Sequence, residues 1–284
     1  MNAELYEALE YDHLLCHQDI KETMRHRFVF SVIEKSRLSW LVNNEGLGDW
    51  ITTPASDLFL INGNETRHER TSPVSVYCGM LTRALQSQAP RIVLYWYCGL
   101  NVNDDVAGML RNMIGQLLDN IEANKSPLKA IKKVWYADFV PDDQTILFEL
   151  FKRILKHQLK SASVFCIIDG VSFYEDYHRA QSFGDLVEDL TALTSDAHKA
   201  KSIFKVLLTS PNRSDIVERA ANSVNDGLIE VLEMPDFVDI DRNDTEELDI
   251  INALSRRNSI SSSMSGRSVY EEALEYLNSD SSDS

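Results

Sequence analysis

The stretch Ser163-Val-Phe-Cys-Ile-Ile-Asp169-Gly170 decides the fold. Val164 to Ile168 run unbroken, apolar and rich in β-branched and aromatic side chains, into a carboxylate and a glycine. A short run of this kind reads as a strand buried on both faces, as in parallel sheets. Ligands of such sheets sit beyond the carboxyl ends of the strands, which is where Asp169 stands. A carboxylate there can hold a magnesium ion on a bound nucleotide. Its plainer use is to cap a turn or accept backbone N–H groups, with Gly170 suited to a sharp bend.

Working outward, the pattern repeats. Leu58-Phe-Leu-Ile61 before Asn62-Gly63, Arg91 to Cys98 before Gly99, Phe204 to Leu208 before Thr209-Ser210-Pro211, and Leu228 to Leu232 all read as strands. Helical spacing separates them. Ser72-Pro73 starts a helix through Tyr77, Leu81 and Leu85, with serine as cap and proline in the first turn. Further helices are predicted over about Asp104 to Ile121, Asp142 to Leu159 and Phe183 to Ala197. Strands alternating with helices predict an α/β fold, a parallel sheet of about five strands with helices on both faces. The aromatic run Tyr95-Trp96-Tyr97 belongs to its core.

The flanks differ. Residues 1–45 read as an N-terminal helical segment, with Leu5, Leu9, Leu15 and Ile20 on one face, and with Phe28, Val32 and Leu38, flanked by Trp40 and Leu41, marking a second helix. Asn43-Asn-Glu-Gly46 and Gly48 are expected to break that pattern. The α/β domain then spans 46–238. Residues 239–284 are rich in Ser, Asp and Glu, the composition of a disordered tail. A short helix is expected within it over 269–277, where Ala273-Leu-Glu-Tyr276 repeats Ala8-Leu-Glu-Tyr11. That repeat is either coincidence in an acidic chain or the same docking peptide at both ends.

The net charge is −16, and the 49 residues from Asp236 onward carry 12 acids against 4 bases. A chain so acidic lacks the clustered Lys and Arg that phosphate backbones require, so nucleic acid is not an expected partner. No apolar run reaches the roughly 18 to 20 residues of a membrane span. The acidic start, Met-Asn-Ala-Glu, is unlike a secretory leader. These features read as an intracellular, cytoplasmic protein with no membrane contact. Cys16, Cys78, Cys98 and Cys166 lie far apart without CxxC spacing and read as buried free thiols. His13, Cys16 and His17 lack a fourth ligand for zinc.

The order and spacing of these segments over residues 28 to 240 resemble the fungal branch of the STAND NTPases, close to the NACHT and nephrocystin-like N-terminal domains. Trp50 and Leu58-Phe-Leu-Ile-Asn-Gly63 stand where that family has its phosphate-binding strand and loop. Met113-Ile-Gly-Gln-Leu-Leu118 matches a helix. Phe165-Cys-Ile-Ile-Asp-Gly170 looks like the Walker B strand, and Phe204 to Ser210 like the strand ending in a polar sensor. The resemblance implies a nucleotide-binding fold used as a signalling switch or oligomerising module. The nucleotide-site residues it would imply are Gly63, Arg67, Arg70, Asp169, Thr209 and Ser210, with Asp169 on the metal if a magnesium nucleotide binds.

The departures are in the phosphate loop. A working loop reads G-x-x-x-x-G-K-[ST]. Counted from Gly63, its second glycine falls on His68, its lysine on Glu69 and its hydroxyl on Arg70. A carboxylate where the cation belongs repels a triphosphate. Glu175 and Asp176 could replace the missing acids after Asp169 only if their loop folds back. Thr209 and Ser210 have a structural use as caps for the segment Asn212 to Ala221. No catalytic residue is assigned.

Three functions stay open: a non-catalytic protein-interaction module needing no cofactor; a weak Mg-ATP or Mg-GTP switch; and a regulatory protein acting through its tail. Partners are expected to be other proteins, a homo-oligomer among them. Arg256-Arg-Asn-Ser259 suits a basophilic kinase, and Ser281, like Ser279 and Ser282, lies among Asp280 and Asp283 as acidophilic kinases prefer.

Overall fold

A computed structural model describes residues 6–65, 69–88, 90–120, 143–224, 229–235 and 238. Arg67, Ser259, Ser281 and the helix expected over 269–277 lie outside the described residues.

The five expected strands form: β1 (Asp57–Asn62), β2 (Arg91–Tyr97), β3 (Ser163–Asp169), β4 (Phe204–Ser210) and β5 (Ile229–Glu233). They make one sheet in the order β2-β3-β4-β1-β5, every pair parallel. The helices between them are α4 (Pro73–Gln86), α5 (Val106–Asp119), α6 (Gln144–Gln158), α7 (Ala180–Lys199) and α8 (Asp215–Ser223), following α1 (His13–His26), α2 (Val32–Asn43) and α3 (Glu45–Thr52). Right-handed crossovers distribute them. The β1–α4–β2 connection runs toward one edge of the sheet, and the later connections run back toward the other. Hence α4 covers one face and α5 to α8 the opposite face.

The pleat sorts the side chains with a period of two. Leu58 and Leu60, Leu94 and Trp96, Cys166 and Ile168, and Val206 and Leu208 meet α5 to α8. Phe59, Ile61, Tyr95, Tyr97, Phe165, Ile167 and Leu207 meet α4 and the N-terminal helices. All four cysteines are buried and free. Among the described residues, no helix is long and apolar enough to cross a membrane.

Two expectations about the N-terminal helices fail. Phe28, read with Val32 and Leu38 as marking one helix, lies outside α2, and Phe28 and Val32 are 65% and 60% exposed. The chain turns through a short 3-10 helix over Arg27–Val29, which rotates Phe30 into the core in place of Phe28. The expected break at Asn43 to Gly48 lasts one residue. Asn44 accepts the Leu47 N–H at 3.0 Å and caps α3, whose Leu47, Trp50 and Ile51 are buried.

Trp50 covers a charge. Lys205 is the second residue of β4, buried on the α4 face, with Nζ 5.2 Å from the Trp50 ring centroid. Nζ is 3.3 Å from both oxygens of Asp57. Burial lowers the pKa of Lys205, against the pull of Asp57, and raises that of Asp57. Removing one partner of a buried pair strands the other charge. Asp57 keeps 34% of its side chain exposed, which lessens that cost, so Lys205→Met is expected to lose about 1–2 kcal/mol in urea unfolding. Asp57→Asn in the same chain should recover part of that loss; equal stability of single and double variants would exclude the pairing.

Candidate functional site

Counting by twos along β3 from Phe165 puts Asp169 on the face covered by α4, and the same count along β4 puts Thr209 beside it. Asp169 is 1% exposed. Thr209 Oγ1 donates to its Oδ1 at 2.6 Å, and the Ser75 hydroxyl and Gly170 N–H supply further hydrogen bonds. Ser75 is placed by its own helix. It forms a reciprocal cap with Ser72, each side-chain oxygen accepting the other's backbone N–H at 3.1 and 3.3 Å. Gly170 takes a left-handed φ of 73°, which swings the chain out of β3 and favours glycine over any other residue. Burial outweighs the three donors and pushes the Asp169 carboxyl up to about 6. Burial also raises the Cys78 thiol and the Tyr97 hydroxyl, with the Asp169 charge adding to both.

The exit of β1 is tied to the exit of β4. Gly63 N–H donates to the Ser210 carbonyl at 2.7 Å, and Glu65 N–H to the Pro211 carbonyl at 2.8 Å. A Cβ on Gly63 would lie 2.6 Å from the Pro211 oxygen, so glycine serves the close approach of two chains here. The Gly63 carbonyl accepts Nη2 of Arg37, whose Nη1 donates to the Pro235 carbonyl at 3.1 Å. Arg37 thus clamps the chain after β1 to the chain after β5. Glu65 follows in the same loop, with Oε1 buried and unpartnered. Its carboxyl is raised to about 7, chiefly by burial; Arg37 opposes the shift, and Glu34, Asp169 and Glu69 add to it.

Polar groups also close the opposite face. Asn62 donates to Glu233 at 2.7 Å and accepts the Ser214 N–H at 3.1 Å. Ser214 caps α8 and donates its hydroxyl to Glu175. The cap expected from Thr209 or Ser210 is therefore Ser214's. Thr209 is committed to Asp169, and the buried Ser210 Oγ has no partner. Glu175 does fold back, but onto Ser214, and Asp176 pairs with Arg179.

Of the residues expected at the site, the structure brings Asp169 and Thr209 together on one face and joins Gly63 to Ser210 through the backbone. Arg70 is exposed, its carbonyl against the Gly99 backbone. Counting from Gly63 places the loop's hydroxyl on Arg70, whereas the hydroxyls beside Asp169 are Thr209's, which was expected, and Ser75's, which was not. The Ser72-Pro73 helix start was the signal that could have found it. Arg37 and Glu65 carried no local signal, because their environment is made by residues distant in sequence. Among the described residues, no group of three or more His, Cys, Asp or Glu could hold a metal.

A magnesium nucleotide needs a metal half and a phosphate half. Asp169, Ser75 and Thr209 have the chemistry of the first. The second does not fit. The two residues ahead of Ser75 are Pro73, which has no N–H, and Val74, fully buried, where a glycine and a phosphate-binding lysine would stand.

A family model described as Nephrocystin 3, N-terminal matches residues 36–211, from α2 to the residue after β4. No curated protein matches the chain.

The raised carboxyls make stability depend on pH. Both folded values lie above the ordinary values of 3.8 and 4.5, so stability is greatest below those and falls as pH rises through about 6 for Asp169 and about 7 for Glu65. The thermal midpoint is expected to fall between roughly pH 4 and pH 7. Asp169→Asn should flatten the lower part of the profile and Glu65→Gln the upper part. Melts with unchanged pH slopes in both variants would refute this.

Proposed function

This chain belongs to the Nephrocystin 3, N-terminal family, a NACHT/STAND-like module, and we propose that it acts by binding other proteins without hydrolysing nucleotide. The start of α4 carries the reading. Pro73 and buried Val74 stand ahead of Ser75, and Glu65 brings a buried carboxylate into the loop that would wrap a triphosphate. Negative charge there repels phosphate, and Arg37, the buried cation that offsets it in part, is committed to the Gly63 and Pro235 carbonyls. The crevice between β1 and β4 is spanned by the chain's own hydrogen bonds, from Gly63 to Ser210 and from Glu65 to Pro211. A fold maintained this way keeps its surfaces for partner proteins, a second copy of the chain among them, and needs no cofactor.

One observation favours a second reading. Ser75 and Thr209 both converge on Asp169, as a weak Mg-ATP or Mg-GTP site would require. Thermal unfolding with millimolar Mg-ATP, Mg-GTP and the diphosphates separates the two. A ligand at 100 times its dissociation constant stabilises by about 2.7 kcal/mol, or roughly 2–4 °C for a domain of this size. The expected result is no shift with any nucleotide. A shift of that size, lost in Asp169→Ala, would overturn the proposal in favour of the nucleotide switch.

A further inference from the structure

The N-terminal end of the described chain is docked into a socket on α5. Tyr6 to Ala8 form one helical turn, and Leu9, 1% exposed, enters the core with α5 and α6. Glu10, at a φ of 51°, turns the chain back. The Tyr11 ring lies flat on Gly115, where a Cβ would come within 2.2 Å of the Tyr11 Cγ. Tyr6 and Tyr11 stack with centroids 5.8 Å apart and donate to the two oxygens of Asp119, each at 2.8 Å. His13 Nδ1 is 2.9 Å from the same carboxylate, and Arg111 Nη2 is 3.9 Å from Glu10. Arg111, Gly115 and Asp119 recur every four residues, one stripe of the helix. A charge, a gap and a paired acceptor along that stripe form a site shaped for one short peptide.

The same peptide occurs twice. Glu7-Ala-Leu-Glu-Tyr11 recurs as Glu272-Ala-Leu-Glu-Tyr276. The shared Leu, Glu and Tyr are the residues that fill the core, meet Arg111 and cover Gly115 in the first copy. The preceding residue differs. Tyr6 becomes Glu271, which exchanges a hydroxyl donor to Asp119 for a second negative charge. The tail copy therefore has the anchors of the first and a weaker approach to Asp119.

We propose that the socket of Arg111, Gly115 and Asp119 is a receptor for this motif, and that residues 272–276 of the same chain occupy it when the N-terminal copy leaves. The tail can reach it. Thirty-six residues separate Pro235 from Glu272. A chain of that length reaches at most about 120–130 Å, whereas the sheet from β5 to β2 is about 19 Å wide at four strand spacings. Tethering at that range gives an effective concentration near millimolar, enough for a weak peptide to bind. Exchange would free residues 6–11, and with them the segment leading into α1, in favour of the tail. The socket is thus an intramolecular switch between the two ends of the chain.

The test is hydrogen exchange of the full chain, with a folded circular-dichroism spectrum as a control. In Tyr11→Ala, amides of residues 272–277 should exchange roughly tenfold more slowly than in the wild type. That protection should vanish in Tyr11→Ala/Tyr276→Ala and in Tyr11→Ala/Gly115→Ala. If Tyr11→Ala does not fold, Tyr11→Phe weakens the first copy by its hydroxyl alone. A fluorescent peptide of residues 267–280 should then bind that chain saturably and be displaced by unlabelled residues 1–12. Equal exchange of 272–277 in wild type, single and double variants, with no peptide binding, would overturn the proposal. Protection that grows with protein concentration together with a dimer would also overturn it, in favour of exchange between copies.

Discussion

A carboxylate buried at the carboxyl edge of a parallel sheet must find its hydrogen-bond donors inside the fold, and Asp169 places that demand on the whole domain. Its donors come from three elements: Thr209 from β4, Ser75 from the first turn of α4, and the Gly170 N–H from the bend after β3. None can shift without leaving a charge without partners in a low-dielectric interior, where unpaired polar groups are most costly. Fixing Ser75 fixes the start of α4. The start of α4 in turn sets how much chain must be stored between it and β1, and that stored chain holds Glu65.

The same edge shows how the crevice is closed. Parallel strands joined by right-handed crossovers open a gap where connections leave in opposite directions, here between β1 and β4. Backbone bonds from Gly63 and Glu65 to the exit of β4 span that gap, and Arg37 pins it from α2. Two buried cations thereby bind the N-terminal helices to the sheet. Arg37 reaches the ends of β1 and β5, and Lys205 sits under Trp50 of α3. The helices before β1 complete one face of the core, since Cys16, Ile20, Leu38 and Leu41 pack into the same cluster as Phe59 and Phe165.

The five strands and the helices between them were legible because each rests on a local pattern. An unbroken apolar run marks a strand covered on both faces, and Ser72-Pro73 marks a helix start whatever lies around it. Readings failed where a neighbour decided the outcome. Phe28 and Phe30 are equally apolar, and the turn at Arg27–Val29 chose which one is buried. Asn44 looked like a terminator and became the cap of α3, because a helix-capping residue is also a helix-ending one when read alone.

The sequence by itself determined the strand-and-helix order, the two-faced parallel sheet, the buried thiols and the place of Asp169 at a strand end, since each depends on residues within a few positions. The tertiary structure alone decided that Ser75 stands beside Asp169, that one oxygen of Glu65 is buried, that Gly63 meets the exit of β4, and that Tyr6 and Tyr11 share Asp119. Those contacts join residues from about 26 to nearly 200 positions apart, as Arg37 does to Gly63 and to Pro235. The physical reason is that burial and hydrogen bonding depend on distance in space, and local periodicity carries no record of which distant segments the crossovers bring together.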